Sequence, residues 1–220
     1  MLRIDIITCQ PALLAPLLKT GIFARAIKKK QAQIVVHNLR DYGTGPHKQI
    51  DDYPYGGGAG MVLQIEPIDK CVACLKRQRA YDAVIYLSPL GVPLSQTQAN
   101  RLALFQNLIL LCGHYEGIDE RVRKHLVDED ISIGPYVLSG GELPALILCD
   151  AILRLIPNVL GNADNALHDS FQNDTLAPPV YTRPAKYKGI KVPDVLLSGH
   201  AKNIQNWREQ EAAKRRNNHQ

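Results

Sequence analysis

The feature that most constrains the fold is a set of three glycine-rich loops, each directly after a short apolar run. The runs are Ala83–Leu87, Leu108–Cys112 and Ile131–Ile133. Short continuous apolar runs are typical of strands buried on both faces, which occur in parallel sheets. The carboxyl ends of parallel strands lie at one edge, so we expect the three loops to form one ligand-binding crevice. One such loop alone would indicate only a tight turn, but three in succession favour a common site.

Two more strands are predicted near the start of the chain, at Arg3–Thr8 and Ile34–Leu39. Helical patterns separate and follow the five strands, and Ser95 is a suitable N-cap for the third helix. These patterns cover residues 22–29, 67–79, 95–105, 119–125 and 143–156. Alternating strands and helices predict an α/β fold, a mostly parallel sheet with helices on both faces.

The position of the glycines excludes two common nucleotide-binding folds. A dinucleotide-binding fold carries its glycine fingerprint just after the first strand. Here the first strand is followed by Thr8-Cys9-Gln10-Pro11, and neither GxGxxG nor GxxxxGK[ST] occurs anywhere in the chain. An ordinary Rossmann enzyme and a P-loop NTPase are therefore both disfavoured.

The positive charge is concentrated at the end of the chain. Residues 181–220 hold nine Lys and Arg against three Asp and Glu, a charge of +6, whereas the whole chain carries +5. The first 180 residues are therefore nearly neutral, at −1. A basic appendage on a neutral body is typical of a polyanion-binding module, although a solvated charged tail has the same composition.

The change in composition along the sequence predicts three parts. Residues 1–160 form the α/β domain, residues 161–175 are rich in Asn, Asp and Ala and form a flexible linker, and residues 176–220 form a small basic module with a helix near 201–216. Asp5 and Pro11 interrupt the first apolar run, and Asp150 and Arg154 interrupt the longest one. We therefore expect a soluble, cytoplasmic protein without a targeting peptide or membrane span.

The five cysteines lie mostly in apolar segments, which predicts reduced core thiols rather than a disulfide framework. Cys71 and Cys74 form a lone CxxC in a helical segment. Zinc would need two more ligands at a matching spacing, and none is apparent, so two small residues on one helix face is the favoured interpretation. No carboxylate cluster with metal-ligand spacing calls for Mg²⁺, and the sequence leaves magnesium dependence open.

A series of longer motifs runs along nearly the whole chain. In order they are Asp51–Met61, Gly113–Arg121, Ser132–Pro144, Arg154–Pro157, Asp169–Phe171, Tyr181–Pro184 and Val195–His200. Together they resemble the bacterial tRNA (guanine-N1)-methyltransferases of the SPOUT methyltransferase class. Motifs this long in this order are highly specific, so chance similarity is remote.

The resemblance implies a methyltransferase that uses S-adenosyl-L-methionine to methylate N1 of the guanosine immediately 3′ of the anticodon, at position 37 of tRNA. It implies a SPOUT fold with a deep trefoil knot, and a homodimer whose active sites lie between two subunits. It also implies that the three late loops hold the cofactor. The expected contacts are Tyr86, Leu87, Ser88, Pro89, Gly113, Tyr115, Ile133, Gly134, Pro135, Tyr136, Val137, Leu138, Gly140, Gly141 and Pro144.

The same resemblance assigns the catalytic roles. Asp169, in the predicted linker, is the expected base that removes the N1 proton, and Arg154 is expected to stabilise charge on O6 of the guanine. The residues alone would favour a solvated carboxylate or helix N-cap for Asp169. For Arg154 they leave open an ion pair with Asp150, which lies four residues earlier.

Three further residues are expected to contact the RNA. Glu116 and His114 lie in the middle loop, where the target base should enter. Glu116 could hydrogen-bond the guanine edge or balance the sulfonium charge, and a surface role is the alternative. Asp51, with the glycine run 56–60, is expected to form a rim that closes over the RNA, the alternative being a plain connecting loop. The basic residues of 183–216 are expected to contact tRNA phosphates.

The chain also departs from the family pattern. The family usually has Arg where this chain has His114, a basic residue or Thr in place of Tyr53, and commonly Pro in place of Ala59. After the first strand the typical Phe-Pro-Glu-Met-Phe is replaced by residues 10–14, and the C-terminal module is short. These differences concern RNA affinity more than the cofactor loops. Two alternatives remain: a SPOUT methyltransferase with another target nucleotide, and a catalytically silent tRNA-binding protein.

Overall fold

A computed structural model describes residues 1–160, 171 and 176–217, with side chains up to residue 215. The chain divides into two compact units, Met1–Gly161 and Asn162–Gln220. The first unit is built on a five-stranded sheet with the strand order β2-β1-β6-β5-β7, in which every neighbouring pair is parallel. Its strands are β1 (Leu2–Thr8), β2 (Ala32–Asn38), β5 (Ala83–Pro93), β6 (Asn107–Cys112) and β7 (Glu129–Ser132).

Helices alternate with these strands, and a small two-stranded antiparallel element precedes the third helix. The small element pairs β3 (Asp51–Asp52) with β4 (Val62–Leu63). The helices of the first unit are α1 (Pro11–Leu14), α2 (Gly21–Lys28), α3 (Ile65–Gln78), α4 (Gln96–Leu102), α5 (Glu120–His125) and α6 (Glu142–Leu153), with 3-10 turns at Leu17–Lys19 and Leu39–Tyr42.

Side chains of the central strands alternate between two hydrophobic clusters. In β6, Leu108 and Leu110 belong to a cluster shared with α2, α4 and α6, whereas Ile109 and Leu111 belong to one shared with α3 and α5. Successive residues of a strand point to opposite faces, so the two clusters lie on opposite faces of the sheet. Helices therefore cover both faces, and the predicted α/β fold class is confirmed. Whether the chain is knotted stays a prediction.

All five predicted strands are present, and the structure extends one of them. The prediction ends the fourth strand at Leu87, but β5 continues to Pro93. Its pairing with β7 shifts register between Leu87 and Val92, so the predicted first loop is an irregular part of the strand. Ser95 caps α4 as predicted and forms a capping box with Gln98, in which each side chain bonds the other's backbone N–H.

The second unit contains a short antiparallel hairpin and two helices. The hairpin pairs β8 (Lys186–Tyr187) with β9 (Ile190–Lys191), and the helices are α7 (Asp194–Leu197) and α8 (Ala201–Asn217). Trp207 of α8 packs beside Tyr181, with ring centroids 6.3 Å apart. No helix among the described residues is long and apolar enough to cross a membrane. The five cysteines are free thiols.

Candidate functional site

The three glycine-rich loops meet at the carboxyl edge of the adjacent strands β6, β5 and β7. Together they line a cleft of about 340 Å³. The first loop is the irregular segment of β5 after Leu87, the second follows β6, and the third joins β7 to α6. The single crevice expected from the sequence is therefore present, at the edge where open parallel sheets bind their ligands.

Most of the residues predicted to bind the cofactor line this cleft. Pro135 is not among the lining residues, and neither are Asp51 and Arg154, whereas His114 and Glu116 are. The predicted residues that line it are Tyr86, Leu87, Ser88, Pro89, Gly113, Tyr115, Ile133, Gly134, Tyr136, Val137, Leu138, Gly140, Gly141 and Pro144. That these residues hold a ligand stays a prediction.

Two glycines allow the second and third loops to touch through their backbones. The N–H of Gly141 donates to the carbonyl of Gly113 at 2.9 Å, and His114 forms an antiparallel bridge with Gly140. A Cβ atom at Gly141 would lie 2.7 Å from the Cα of Cys112, which no ordinary contact permits. Glycine at 141 is therefore required by the close approach of two backbones.

The third loop is shaped by its own hydrogen bonds. The Ser132 hydroxyl donates to the carbonyl of Gly134 at 3.0 Å and accepts from the N–H of Gly134 at 3.2 Å. The Tyr136 hydroxyl donates to the carbonyl of Ile133 at 3.2 Å. Val137 remains 84% exposed although it borders the cleft. These bonds fix the shape of the loop, and its apolar side chains border the cleft.

The glycine run 56–60 connects β3 with β4 and packs beside the second loop. The N–H of Glu116 donates to the carbonyl of Met61 at 3.0 Å, and that of Leu63 donates to the carbonyl of Gly117. A Cβ atom at Gly60 would lie 2.6 Å from Cγ of Glu116, so this glycine leaves room for the carboxylate side chain. The run therefore borders the cleft entrance on the side of the exposed Glu116.

The two predicted catalytic residues are not both described. Arg154 is the first residue after α6, and its side chain is exposed. Asp169 lies outside the described residues, as do all predicted linker residues from 161 to 175 except Phe171. Asp51 lies in β3, on the element that precedes the glycine run. Their proposed roles therefore stay predictions.

Sequence reasoning missed a buried polar group behind the second and third loops. Glu142, the first residue of α6, is only 2% exposed, and Oε1 accepts a hydrogen bond of 2.5 Å from the Thr8 hydroxyl. Burial, followed by the charge of Glu142, raises the pKa of the neighbouring Cys9 thiol to about 11. A carboxylate directly after Gly140-Gly141, in the first turn of a helix, was the sequence signal that could have drawn attention to it.

Sequence reasoning also missed the charged side chains of α5 that line the cleft. Arg123 lines the cleft and forms an ion pair with Asp130 of β7. Burial raises the pKa of the Tyr86 phenol, which also lines the cleft. A Cβ atom at position 113 would lie 2.9 Å from the Tyr86 hydroxyl oxygen, so glycine at this position leaves room for the Tyr86 ring.

An open parallel sheet with a cleft at its carboxyl edge is the arrangement at which α/β proteins commonly bind small ligands. The family model "tRNA (Guanine-1)-methyltransferase TrmD" matches residues 2–220. A match over nearly the whole length shows the family, and the chain belongs to the tRNA (guanine-1)-methyltransferases. The resemblance read from the motifs is thereby confirmed.

Relatives from several bacteria agree with this assignment. The chain is 57% identical over 214 residues to a tRNA (guanine-N(1)-)-methyltransferase of Christiangramia forsetii, covering 97% of this chain and 95% of the relative. It is 56% identical over 211 residues to that of Flavobacterium johnsoniae, covering 96% and 93%. It is 55% identical over 214 residues to that of Porphyromonas gingivalis, covering 97% and 95%.

Proposed function

We propose that this protein transfers the methyl group of S-adenosyl-L-methionine to N1 of the guanosine immediately 3′ of the anticodon in tRNA. The observation that carries the proposal is the cleft between three glycine-rich loops in a chain that matches the family along its length. The cosubstrate would lie in this cleft, with its polar edges against loop backbone and its base against apolar side chains such as Leu138.

The reaction forms a bond from N1 of guanine to the methyl carbon as the bond from sulfur to that carbon breaks. The sulfonium becomes a neutral thioether, and the proton on N1 must leave. The electrophile is already activated, so the protein's main contribution is to the nucleophile: a base for the proton and a positive group near O6. Catalysis also requires the two reacting atoms to be held in line.

In the proposed mechanism Asp169 takes the N1 proton and Arg154 stabilises the negative charge that develops toward O6. The exposed Glu116 at the cleft entrance would hydrogen-bond the guanine edge, and His114 would border the same entrance. Asp51 and the glycine run would form the rim over the RNA. The guanine must be unpaired and splayed out to reach this position, as loop bases can be.

The wider arrangement belongs to the same proposal. Residues 1–160 would carry the catalytic domain, 161–175 the linker with Asp169, and 176–220 the tRNA-binding module, whose excess charge suits phosphate contacts. The enzyme would act as a homodimer with shared active sites, in the cytoplasm. Whether methyl transfer depends on Mg²⁺ is a question for the assay below, run with and without the ion.

The test is mass spectrometry of an unmodified tRNA transcript after incubation with the protein and S-adenosyl-L-methionine. We expect one added methyl group on the transcript, and none when the guanine 3′ of the anticodon is changed to adenine. Asp169→Ala should slow the reaction about 100-fold or more, the range for losing a positioned base. Asp174→Ala removes the same charge from the same segment and should stay close to wild type.

Two outcomes would contradict the proposal in different ways. Methylation that survives the change of guanine to adenine would indicate a SPOUT methyltransferase with another target nucleotide. Cosubstrate binding without any methyl transfer, in calorimetry beside the assay, would indicate the silent tRNA-binding alternative. Equal losses in Asp169→Ala and Asp174→Ala would remove Asp169 from the role of base.

A further inference from the structure

A cluster of three side chains with metal-binding chemistry adjoins the cleft, and one of its members, His114, also lines the cleft. Cys9 follows β1, His114 lies in the loop after β6, and Glu142 begins α6. One ligand atom from each, namely a thiol sulfur, a ring nitrogen and a carboxylate oxygen, lies within 4.8 Å of the other two. Cys9 and Glu142 are buried, at 8% and 2% exposure. The fold therefore brings together three donors that are far apart in the sequence.

The hydrogen bonds of Glu142 and His114 use one polar atom of each side chain and leave the other available to bind a metal ion. Oε1 of Glu142 is taken by the Thr8 hydroxyl, and Nε2 of His114 lies 3.0 Å from the side-chain amide of Gln10. Nδ1 of His114 is enclosed and has no hydrogen-bond partner among the described residues. A buried polar atom without a partner destabilises the folded state, so such an atom calls for an explanation.

The space beside that nitrogen is kept clear by a glycine. A Cβ atom at Gly140 would lie 2.3 Å from Oε2 of Glu142 and 3.0 Å from Nδ1 of His114. These two atoms therefore border one small space, and any side chain at position 140 would fill it. Because Cys9 supplies the third donor nearby, the space has a thiol, an imidazole and a carboxylate around it.

We propose that Cys9, His114 and Glu142 bind one divalent cation of the zinc class, with a water molecule as the fourth ligand. Zinc accepts sulfur, nitrogen and oxygen ligands together, at bond lengths of about 2.0–2.3 Å. A thiolate ligand disfavours magnesium and calcium, which take oxygen ligands. A tetrahedral zinc site places its ligand atoms roughly 3.5 Å apart, so side-chain shifts of about 1 Å close the present cluster around an ion.

The partners of the three side chains suit this role. Metal-bound histidines commonly use their second ring nitrogen in a hydrogen bond that fixes the tautomer. Gln10 is placed to do so: with its amide turned over, its carbonyl accepts from Nε2–H and leaves the lone pair on Nδ1. The Thr8 hydroxyl likewise holds Glu142 through its other oxygen. Each ligand except Cys9 therefore has a supporting hydrogen bond.

The sequence alone predicts no metal site, because these residues share no spacing motif. The ion would connect the end of β1, the second cleft loop and the start of α6, and would hold the backbone contact between His114 and Gly140. The inference rests on the cluster alone and stands independently of the proposed methyl transfer. Its test therefore uses metal binding and stability rather than activity.

The experiment uses the full chain, freed of metal by a chelator and titrated with Co²⁺ as a spectroscopic substitute for zinc. We expect one Co²⁺ per chain, with a thiolate-to-cobalt charge-transfer band in the near ultraviolet that Zn²⁺ abolishes. Mg²⁺ should leave the band unchanged. Zn²⁺ should also raise the melting temperature, because a ligand that binds only the folded state stabilises it.

Matched variants identify the ligands. Cys9→Ser should abolish the charge-transfer band, whereas Cys74→Ser, at a partly exposed cysteine outside the cluster, should keep it. His114→Gln should keep the band but weaken Co²⁺ affinity at least tenfold. This variant tests the site even if Cys9→Ser fails to fold. Circular dichroism of each variant checks the fold.

Any of four results would overturn the inference. They are the lack of a charge-transfer band in the wild-type protein, a band that persists in folded Cys9→Ser, a band that disappears in Cys74→Ser, and wild-type Co²⁺ affinity in His114→Gln. In each case Cys9, His114 and Glu142 would be a polar cluster that binds no ion.

Discussion

At the scale of single residues, Asp5 in the middle of β1 is a buried charge with several hydrogen-bond partners. Its side chain is fully buried, and it accepts two hydrogen bonds of 2.7 Å from Arg3 and one of 2.8 Å from the Tyr81 hydroxyl. Nε2 of His37, on the neighbouring strand, lies 2.7 Å from the same carboxylate. The carboxylate thus joins β1, β2 and the segment before β5.

The first prediction concerns the loss of this charge. Asp5→Asn leaves the buried Arg3 without its counter-ion, and breaking a buried pair costs about 3–5 kcal/mol of unfolding free energy. Urea unfolding measures the change. Asp41→Asn is the control, because Asp41 meets Lys48 at 3.4 Å on the surface and exposed pairs contribute about 0–1 kcal/mol. Similar losses in both variants would show that the buried network does not stabilise the fold.

The pH dependence of stability follows from the same group. Burial alone would raise the pKa of Asp5, but hydrogen bonds from His37, Arg3 and Tyr81 outweigh it and lower the pKa below its ordinary value. The contribution is therefore fully present above the unfolded-state pKa of about 3.9 and is lost as the pH falls below it. In acid titrations followed by urea unfolding, Asp5→Asn should lack this part of the loss.

At the scale of secondary-structure elements, the shape of the cleft depends on the C-terminal ends of β5 and β6. The pairing of β5 with β7 shifts register between Leu87 and Val92, and residues of this irregular segment line the cleft. β6 ends at Cys112, where Gly113 and Gly141 let two loops bond through their backbones. The cleft is thus shaped by strand register and close backbone contact.

The β8–β9 hairpin is the element on which we base the second prediction. Lys186, Lys188 and Lys191 are all exposed there. If they contact tRNA phosphates, changing all three to Gln should weaken binding and reduce the slope of log affinity against log salt by about 2–3. Fluorescence anisotropy with labelled tRNA at several salt concentrations measures both.

The control changes three exposed lysines of the first unit, Lys70, Lys76 and Lys124, to Gln. It removes the same charge and should leave the salt slope near the wild-type value. If both triple variants lose the same amount of slope, binding depends on overall charge, and the hairpin has no particular role.

At the scale of the whole molecule, the first unit leaves apolar side chains exposed on adjoining segments. Leu143 and Ile147 of α6 are 54% and 47% exposed, and Leu13 of α1 is 52% exposed. Helices α1 and α6 are in contact, so these side chains belong to neighbouring parts of the surface. Exposed apolar surface of this kind is common at protein interfaces, which fits the proposed homodimer.

The third prediction places the dimer contact on this surface. Ile147→Glu should convert the protein to monomers in sedimentation velocity and abolish methyl transfer, because the proposed active site needs two subunits. Leu104→Glu is the control: Leu104 is 83% exposed just beyond α4, and the variant should remain a dimer. A folded Ile147→Glu variant that still sediments as a dimer would place the interface elsewhere.

Local sequence patterns are sufficient to predict the strands of the main sheet and the order of the cleft loops. Continuous apolar runs such as Leu108–Cys112 are buried on both faces, so they identify inner strands of a parallel sheet without further information. Glycines directly after such strands identified the ligand edge, because parallel strands end at the same side. The long motifs identified the family, since their order is a property of the sequence.

Contacts between residues far apart in the sequence could be read only from the folded chain. No spacing rule relates Cys9, His114 and Glu142, because contacts between the ends of different elements depend on strand order, which local patterns do not encode. The same holds for Asp5 with Tyr81, and for Gly141, whose lack of a side chain is explained only by the backbone at Cys112. Local sequence sets which way a side chain points, but the packing of the elements sets what it meets.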